Sequence, residues 1–458
     1  MSIVDDALHD AGDTREVVIG EGVLDAVPGV FDRGFGDAAA VVVADETTWR
    51  VAGERVSARL AASRVVLGEP FVFASLPVLD ADYANVRAFA GSLAGHAAVP
   101  IVVGSGTLND IAKRACFECG RSYMTVATAA SMDGYTAFGA AITKDGFKQT
   151  LGCPAPRALV ADLAVLAGAP DWMTASGYAD LLAKVCAGGD WILADALEIE
   201  AIDVRPWSIV QNHLRGATGD PDGLRARHTT ALTQLIEGLV LSGLAMQVAG
   251  SSRPGSGAEH QFSHLWEMEG LGQHPGSGRA PLSHGFKVGL GTLAIGALYE
   301  RLIARDLTRL DVDAAVAAWP SWPAVEQRVR AAYPVENLSD PAVRETREKY
   351  VPPAELRRRL ELVRARWPQI RDRLCDQLLP AAELSARLRA AGCPTTPTEI
   401  GLTLPRLRAT YRRAQMIRRR FTVLDLADQL GLLEPLVAEL FAQGGFWAQP
   451  QTLPASAE

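Results

Sequence analysis

Between residue 15 and about residue 166, short apolar runs alternate with helical patterns. REVVIGE (15–21), AAAVVVAD (38–45), SRVVL (63–67), PIVVG (100–104) and YMTVA (123–127) are short, rich in valine and bounded by Gly, Pro or charged residues. That pattern predicts strands. Residues 48–61 and 83–93 lie between them and carry helical periodicity. Strands that are apolar throughout, interleaved with helices, imply a largely parallel sheet covered on both faces. After Ala169-Pro170 the strand signal stops. Helical periodicity dominates from about 171 to 300, as in 229–248 and 288–303. Beyond 305 the helices turn arginine-rich (355–373, 404–420), and a last helical run covers 423–443. The expected architecture is an α/β domain over 1–168 followed by an all-α domain over 169–458. Residues 305–458 form an arginine-rich helical extension of the second domain.

Composition narrows the classes. The chain has 458 residues, 48% hydrophobic and 21% charged, which fits a globular protein of two or three domains that needs no disulfide to fold. A net charge of −8 gives no global attraction for nucleic acid or anionic lipid, so an anionic substrate must be gripped by a few local cations. The opening MSIVDDALHD is acidic and lacks the apolar core of a secretory signal, and the apolar stretch 235–250 is short for a bilayer span and contains Glu237. The expected location is cytoplasmic, with neither membrane nor nucleic acid as a partner. Cys116 and Cys119 form a CxxC with no second pair downstream, within a helical stretch, so the six cysteines read as reduced thiols.

Two motifs carry candidate chemistry. The run from Pro100 leads through Gly104-Ser105-Gly106 into a helix beginning near Thr107. Glycines there allow close backbone approach, and the free amides and positive end of the helix suit a pyrophosphate. The third glycine of the usual dinucleotide fingerprint is replaced by Asn109, so a plain strand-to-helix turn explains the loop equally well. Asp45 closes the run VVVAD, where a strand tip would offer a carboxylate to a ribose diol. It lies far upstream of the glycines instead of roughly 20 residues after them, so the unit is not an ordinary Rossmann one. A helix N-terminal acid is the competing role for Asp45.

The second motif is a histidine cluster. Of eight histidines, three fall together: His260 and His264, four apart on one helical face, and His284 just before another helix. Two histidines and a carboxylate give three protein ligands with a position left open, as catalytic metal sites have. Asp180, early on an apolar helix where an unpaired acid is expensive, is the natural carboxylate. Spacing alone leaves a solvated or core histidine pair as an equal alternative.

GSGTLND (104–110), ATAASMDGY (127–135), GYADLLAK (177–184), SRPGSGAEHQFSHLWEM (252–268) and LSHGFKVGLGT (282–292) occur in one order, followed by IRRRFTVLDLADQLGLLE (417–434). Together they resemble the sn-glycerol-1-phosphate dehydrogenase family and, within it, the bacterial AraM-like branch. The resemblance implies a dehydroquinate synthase-like fold, as in iron-containing alcohol dehydrogenases, with an N-terminal nucleotide-binding domain. It implies reversible reduction of dihydroxyacetone phosphate by NADH or NADPH with one divalent metal, nickel, zinc or iron. By motif the metal falls to Asp180, His260 and His284, with His260 preferred over His264 as the first histidine of the pair. Gly104, Ser105, Gly106, Thr107, Asn109 and Asp110 fall around the cofactor phosphates, with Asp45 as the ribose acid. Thr128 and Ser131 fall toward the nicotinamide.

The resemblance places Asp133 and His264 beside the substrate, where they orient hydroxyls or relay a proton. A turn aspartate before Gly134 is the alternative for Asp133. Lys148, Arg253 and Lys287 are the candidate cations for the substrate phosphate. The implied assembly is a homodimer acting on a small phosphorylated substrate. Ala179 departs from the glycine often found before the ligand aspartate in such motifs, which bears more on the substrate than on the metal. A glycerol or other polyol dehydrogenase, a carbocycle-forming lyase like dehydroquinate synthase, and a non-catalytic binding protein are the other readings.

Overall fold

A computed structural model describes residues 2–76, 78–144, 147–273 and 281–448, excluding the side chains of 147, 148, 336 and 337. Six strands make one parallel sheet: β1 (Glu16–Gly20), β2 (Ala40–Asp45), β3 (Phe71–Phe73), β4 (Val99–Gly104), β5 (Met124–Ala127) and β8 (Ala158–Asp162). Their order is β1-β8-β5-β4-β2-β3. The valine-rich β2 and β4 sit inside this sheet and are buried over nearly their whole lengths. One face is covered by Val27, Phe31, Val56 and Leu60, the other by Val86, Phe89, Ile111 and Ala115. Each of the larger side chains among these contributes about 2 kcal/mol by leaving water. β6 (Ala140–Lys144) and β7 (Phe147–Leu151) form a separate antiparallel hairpin.

The segment 63–67, expected as a strand, is not one. Val66 and Gly68 hydrogen-bond to Ala40, so the segment touches the sheet at a single point. Pro70 has no amide hydrogen to continue the ladder, and pairing resumes only at Phe71. The edge strand is therefore β3. Neither β8 nor the hairpin was anticipated from the pattern.

Among the described residues every strand lies before Leu163, and from Asp171 onward the elements are helical. Thr229–Ala249 is long and apolar enough to cross a membrane by composition, yet it packs in the core with residues such as Leu235, Leu239 and Leu244 fully buried. In the extension, Pro353–Gln377 buries Leu356, Leu360, Val363, Trp367, Ile370 and Leu374, a stripe of helical period. Its arginines are not simply solvated. Arg366 pairs with Glu198 and Arg373 with Asp195, which ties the extension to the end of the helix Lys184–Ala196 and the turn that follows it. Exposed pairs of this kind contribute at most about 1 kcal/mol each.

Candidate dinucleotide and metal site

The parallel strands deliver the first half of the site at their carboxyl ends, where ligands bind in open α/β sheets. β4 runs into helix α1 (Gly106–Glu118) with Ser105 at its N-cap, and no side chain caps the free amides there. Ser105, Gly106 and Thr107 are half-buried at this turn. The glycines are required by close packing rather than by an unusual backbone. A Cβ on Gly104 would lie 2.6 Å from Leu108 Cδ2, and one on Gly106 would lie 2.8 Å from Met132 Cε. β2 neighbours β4 with Val43 level with Val102, so Asp45 stands beside Gly104 despite their distance in sequence. Asp45 also caps the turn after β2, accepting from the amides of Thr47 (2.8 Å) and Thr48 (2.9 Å).

The segment after β5 crosses from this loop to the helices. The Thr128 amide donates to the Gly104 carbonyl at 3.1 Å, and Ser176 Oγ donates to the Ser131 carbonyl at 3.1 Å. The Asp133 amide donates to Asp180 Oδ2 at 3.1 Å. Asp180 lies on α2 (Asp171–Leu182), which precedes α3 (Lys184–Ala196) and α4 (Thr229–Ala249); His260 and His264 lie on α5 (Ala258–Met268), and His284 begins α6 (His284–Ile303). α2 and α6 approach so closely that a Cβ on Gly285 would sit 1.9 Å from the Ser176 carbonyl oxygen.

Asp180, His260 and His284 each offer a ligand atom within 4.8 Å of the others. Asp180 is fully buried and its Oδ1 lies 3.3 Å from His260 Nε2. His264 stands on the same face, its ring 6.2 Å from that of His260, but it is not part of this cluster. Burial, reinforced by the charge of Arg418, pushes the His264 pKa well below its ordinary value and leaves a neutral imidazole.

Carboxylates stand behind both histidines of the cluster. His260 Nδ1 meets Glu259 Oε1 at 2.8 Å, and His284 Nδ1 meets Glu267 Oε1 at 2.8 Å. With Nδ1 engaged, each ring keeps Nε2 for the hollow between them, an arrangement that orients imidazole ligands and raises their basicity. Burial opposes protonation of His260, but Asp180 and Glu259 outweigh it and raise its pKa to about 9. The fully buried Lys184 Nζ bridges Asp180 Oδ1 and Asp133 Oδ2, each at 2.8 Å, and Ser242 Oγ donates to Asp133 Oδ2 at 2.8 Å. Burial disfavours the Asp180 carboxylate, yet Lys184 and His260 more than compensate and hold its pKa below the usual range.

Several expected residues stand elsewhere. Arg253 is buried with its guanidinium donating to the carbonyls of Phe421 and Asp190, both at 3.0 Å. It clamps the extension and is not available to a phosphate. Lys287 Nζ donates to the Leu282 carbonyl at 3.0 Å and lies 3.7 Å from Glu267. Asn109 is fully buried, accepting from Tyr123 and donating weakly to the Gly134 carbonyl, so it braces the substrate-side turn and does not face a cofactor. Asp110 accepts from the Ala141 amide at 3.3 Å, at the start of the hairpin. Lys148 lies on β7, and its side chain is outside the described residues.

Lys184, Ser242, Glu259 and Glu267 were not anticipated. Three of them had a signal. Glu267 follows His264 by three residues and Lys184 follows Asp180 by four, spacings that bring side chains together on a helix, and Glu259 is the direct sequence neighbour of His260. Ser242 had none, since it reaches Asp133 from a helix more than 100 residues away.

Comparison with known proteins agrees with this picture. Residues 18–170 match the iron-containing alcohol dehydrogenase family. A probable glycerol dehydrogenase from Sinorhizobium meliloti superposes with a TM-score of 0.58 at 17% identity, covering 93% of this chain and 98% of that one. The fold is thus that of the iron-containing alcohol dehydrogenase class. A glycerol-1-phosphate dehydrogenase [NAD(P)+] of Bacillus licheniformis is 31% identical over 435 residues, 94% of this chain and 93% of the relative. Another, from Halalkalibacterium halodurans, is 36% identical over 261 residues, 57% of this chain and 64% of the relative. The chain belongs to the glycerol-1-phosphate dehydrogenase family. A nicotinamide dinucleotide and a divalent metal are the cofactors consistent with that family.

Proposed function

We propose that this protein reversibly reduces dihydroxyacetone phosphate to sn-glycerol 1-phosphate with NADH or NADPH, using a divalent metal held by Asp180, His260 and His284. The observation that carries this is the strip 128–133. It is hydrogen-bonded at one end to the glycine loop and at the other to Asp180, so a dinucleotide on the loop would reach toward a substrate at the histidines. The donor set fits a divalent cation. One carboxylate and two imidazoles converge, and with the imidazoles neutral the one ammonium of Lys184 does not balance Asp180, Asp133 and Glu259, which leaves negative charge for a metal to balance. Nickel, zinc and iron all accept these nitrogen and oxygen ligands. When bound, the metal supplies Lewis acidity to the substrate oxygens and the dinucleotide supplies the hydride.

The remaining roles belong to the chain itself. Glu259 and Glu267 fix the two imidazoles. Lys184 and Ser242 hold the Asp133 carboxylate where it orients the substrate hydroxyls. The neutral His264 hydrogen-bonds the product oxygen and relays a solvent proton to it, donating at one ring nitrogen as it accepts at the other. The amides before α1 receive the pyrophosphate and Asp45 the ribose. The test is NADH oxidation with dihydroxyacetone phosphate by protein loaded with nickel, zinc or iron, alongside metal analysis of His260→Ala and Asp180→Ala. Both variants are expected to lose metal and turnover together. Full turnover with bound metal in either one would remove the site assignment. Failure with dihydroxyacetone phosphate but reduction of NAD by free glycerol would make the protein a polyol dehydrogenase.

A further inference from the structure

The anticipated cations for the substrate phosphate are spent elsewhere or lie outside the described residues, and the protein carries net negative charge. The arginine-rich extension supplies another. After the helix Leu404–Gln415 the chain runs back along α5 in the opposite direction. Arg406 and Arg413 grip Glu269, just past the end of α5, while Arg420 grips Ser252 and Ser256, just before its start. The stretch between these two anchors spans the length of α5, the helix that carries His260 and His264. Arg418 lies on that stretch.

Its neighbours in sequence are all engaged. Arg412 holds Asp428 and Glu434, Arg413 holds Glu269, Arg419 holds Glu345, and Arg420 holds the two serines. Arg418 has no hydrogen bond or ion pair among the described residues and is half-buried. Burial pushes its pKa down, which marks a guanidinium that lacks a counter-charge, and Glu345 and Glu267 offset this only through space. His264 in turn feels the charge of Arg418. A partly desolvated guanidinium left unpaired beside a substrate site costs stability unless a ligand completes it. The planar fork of an arginine matches two oxygens of a phosphate.

We propose that Arg418, carried into the site by the C-terminal extension, binds the phosphate group of the substrate. This inference rests on the proposed reduction of a phosphorylated ketone. It gives the extension a role in specificity, because the same site without Arg418 would treat phosphorylated and unphosphorylated substrates nearly alike. Arg420 and Arg253 stand behind it as structural clamps. They fix the course of the segment, and their terminal guanidinium nitrogens already hold backbone and serine oxygens.

The experiment uses the full-length, metal-loaded protein and the variants Arg418→Ala and Arg418→Lys. Because Arg418 holds no partner among the described residues, neither variant should melt below the wild type, and that is checked first. NADH-dependent rates are measured with dihydroxyacetone phosphate and with dihydroxyacetone, and orthophosphate binding is measured by calorimetry. Arg418→Ala is expected to raise KM for dihydroxyacetone phosphate by about 10- to 100-fold. It should weaken orthophosphate by a similar factor and leave kcat/KM for dihydroxyacetone within about twofold. Arg418→Lys should recover part of the loss. Equal losses with both ketones, or an unchanged KM for the phosphorylated one, would overturn the assignment. If the wild type does not reduce dihydroxyacetone phosphate at all, the proposed function fails. Orthophosphate binding then still decides Arg418: the assignment stands if Arg418→Ala weakens it and falls if it does not.

Discussion

The sheet side of the site and the helical side are built from opposite materials. At the carboxyl ends of β4 and β5 the functional surface is small residues and backbone: Gly104, Ser105, Gly106, Thr107 and Thr128, with the Asp45 carboxylate beside Gly104. Across the strip 128–133 the helices gather charge, and Asp180, Lys184 and Glu259 are completely buried. Amides and a helix dipole spread their effect over several groups, so losing one side chain should cost little. Buried charges balance each other pairwise, so losing one strands its partner. The helical side should therefore respond to single substitutions by orders of magnitude, and the sheet side by small factors.

The sharpest way to break that contrast is Lys184→Met. It removes the one ammonium between Asp180 and Asp133 while keeping the volume of the side chain. Stranding the buried Asp180 carboxylate together with the half-buried Asp133 is expected to cost about 3–5 kcal/mol of stability without metal. Turnover should fall by about 100-fold or more, because Asp133 loses its anchor. Thermal melts with and without chelator, together with kcat, check both parts. A melt unchanged in chelator would mean that the pair is solvated and that the helical side is not charge-balanced as described. Next in size is Glu267→Gln, which leaves a hydrogen-bonding group on His284 Nδ1 but removes the charge. Metal affinity should weaken by about 10- to 100-fold. Competition against a metal indicator measures it, and an unchanged affinity would reduce Glu267 to a bystander.

The same contrast explains what the sequence made legible. The glycine loop was readable because strand, turn and helix are contiguous in 100–118, and the valine runs marked the buried strands. The three clustered residues, Asp180, His260 and His284, sat in recognisable motifs, and the structure brings them together. The fine assignment of cations was not readable. Arg253 looked motif-adjacent, but its side chain turns toward Phe421, 168 residues on. Ser242 and Arg418 reach the site from helices and loops whose approach depends on tertiary packing, and no local pattern announces that. Asn109 failed in a related way. It fills a glycine's place in the motif yet is buried, because the loop turns its side chain toward Tyr123.

A smaller test asks whether charge sensitivity on the helical side extends past the metal cluster. Asp190 is buried behind α5, accepting from Tyr299 Oη at 2.6 Å and from the amides of Ala258 (2.7 Å) and Val423 (2.8 Å). Burial, with Glu259 nearby, raises its pKa to about 7 despite those donors. Between its unfolded value of 3.8 and about 7, the folded protein holds a proton that the unfolded chain has lost. Stability from this group is therefore greatest below the lower value and declines as pH rises toward the upper one. Asp190→Asn cannot titrate and turns an amide hydrogen toward a donor, so it should be less stable than the wild type. The gap should narrow from pH 5 to pH 8. Melting temperatures of both proteins across that range read it directly, and a gap that holds constant or widens would show that Asp190 is ionised throughout.

The smallest expected effect lies on the sheet side, where Asp45 does two jobs that can be separated. As an N-cap it accepts from Thr47 and Thr48, and asparagine caps about as well as aspartate. As a charge beside Gly104 it would repel the 2′-phosphate of NADPH and favour the ribose diol of NADH. Asp45→Asn keeps the cap and removes only the charge, so stability should stay within about 0.5 kcal/mol. The ratio of kcat/KM for NADPH over NADH should rise by about 3- to 10-fold, which corresponds to roughly 1 kcal/mol of relieved repulsion. Melting temperature and the two cofactor titrations decide between the roles. A changed melt with an unchanged ratio would make Asp45 a cap alone, and the sheet side would then hold its dinucleotide through backbone and shape, with no charge involved in the choice.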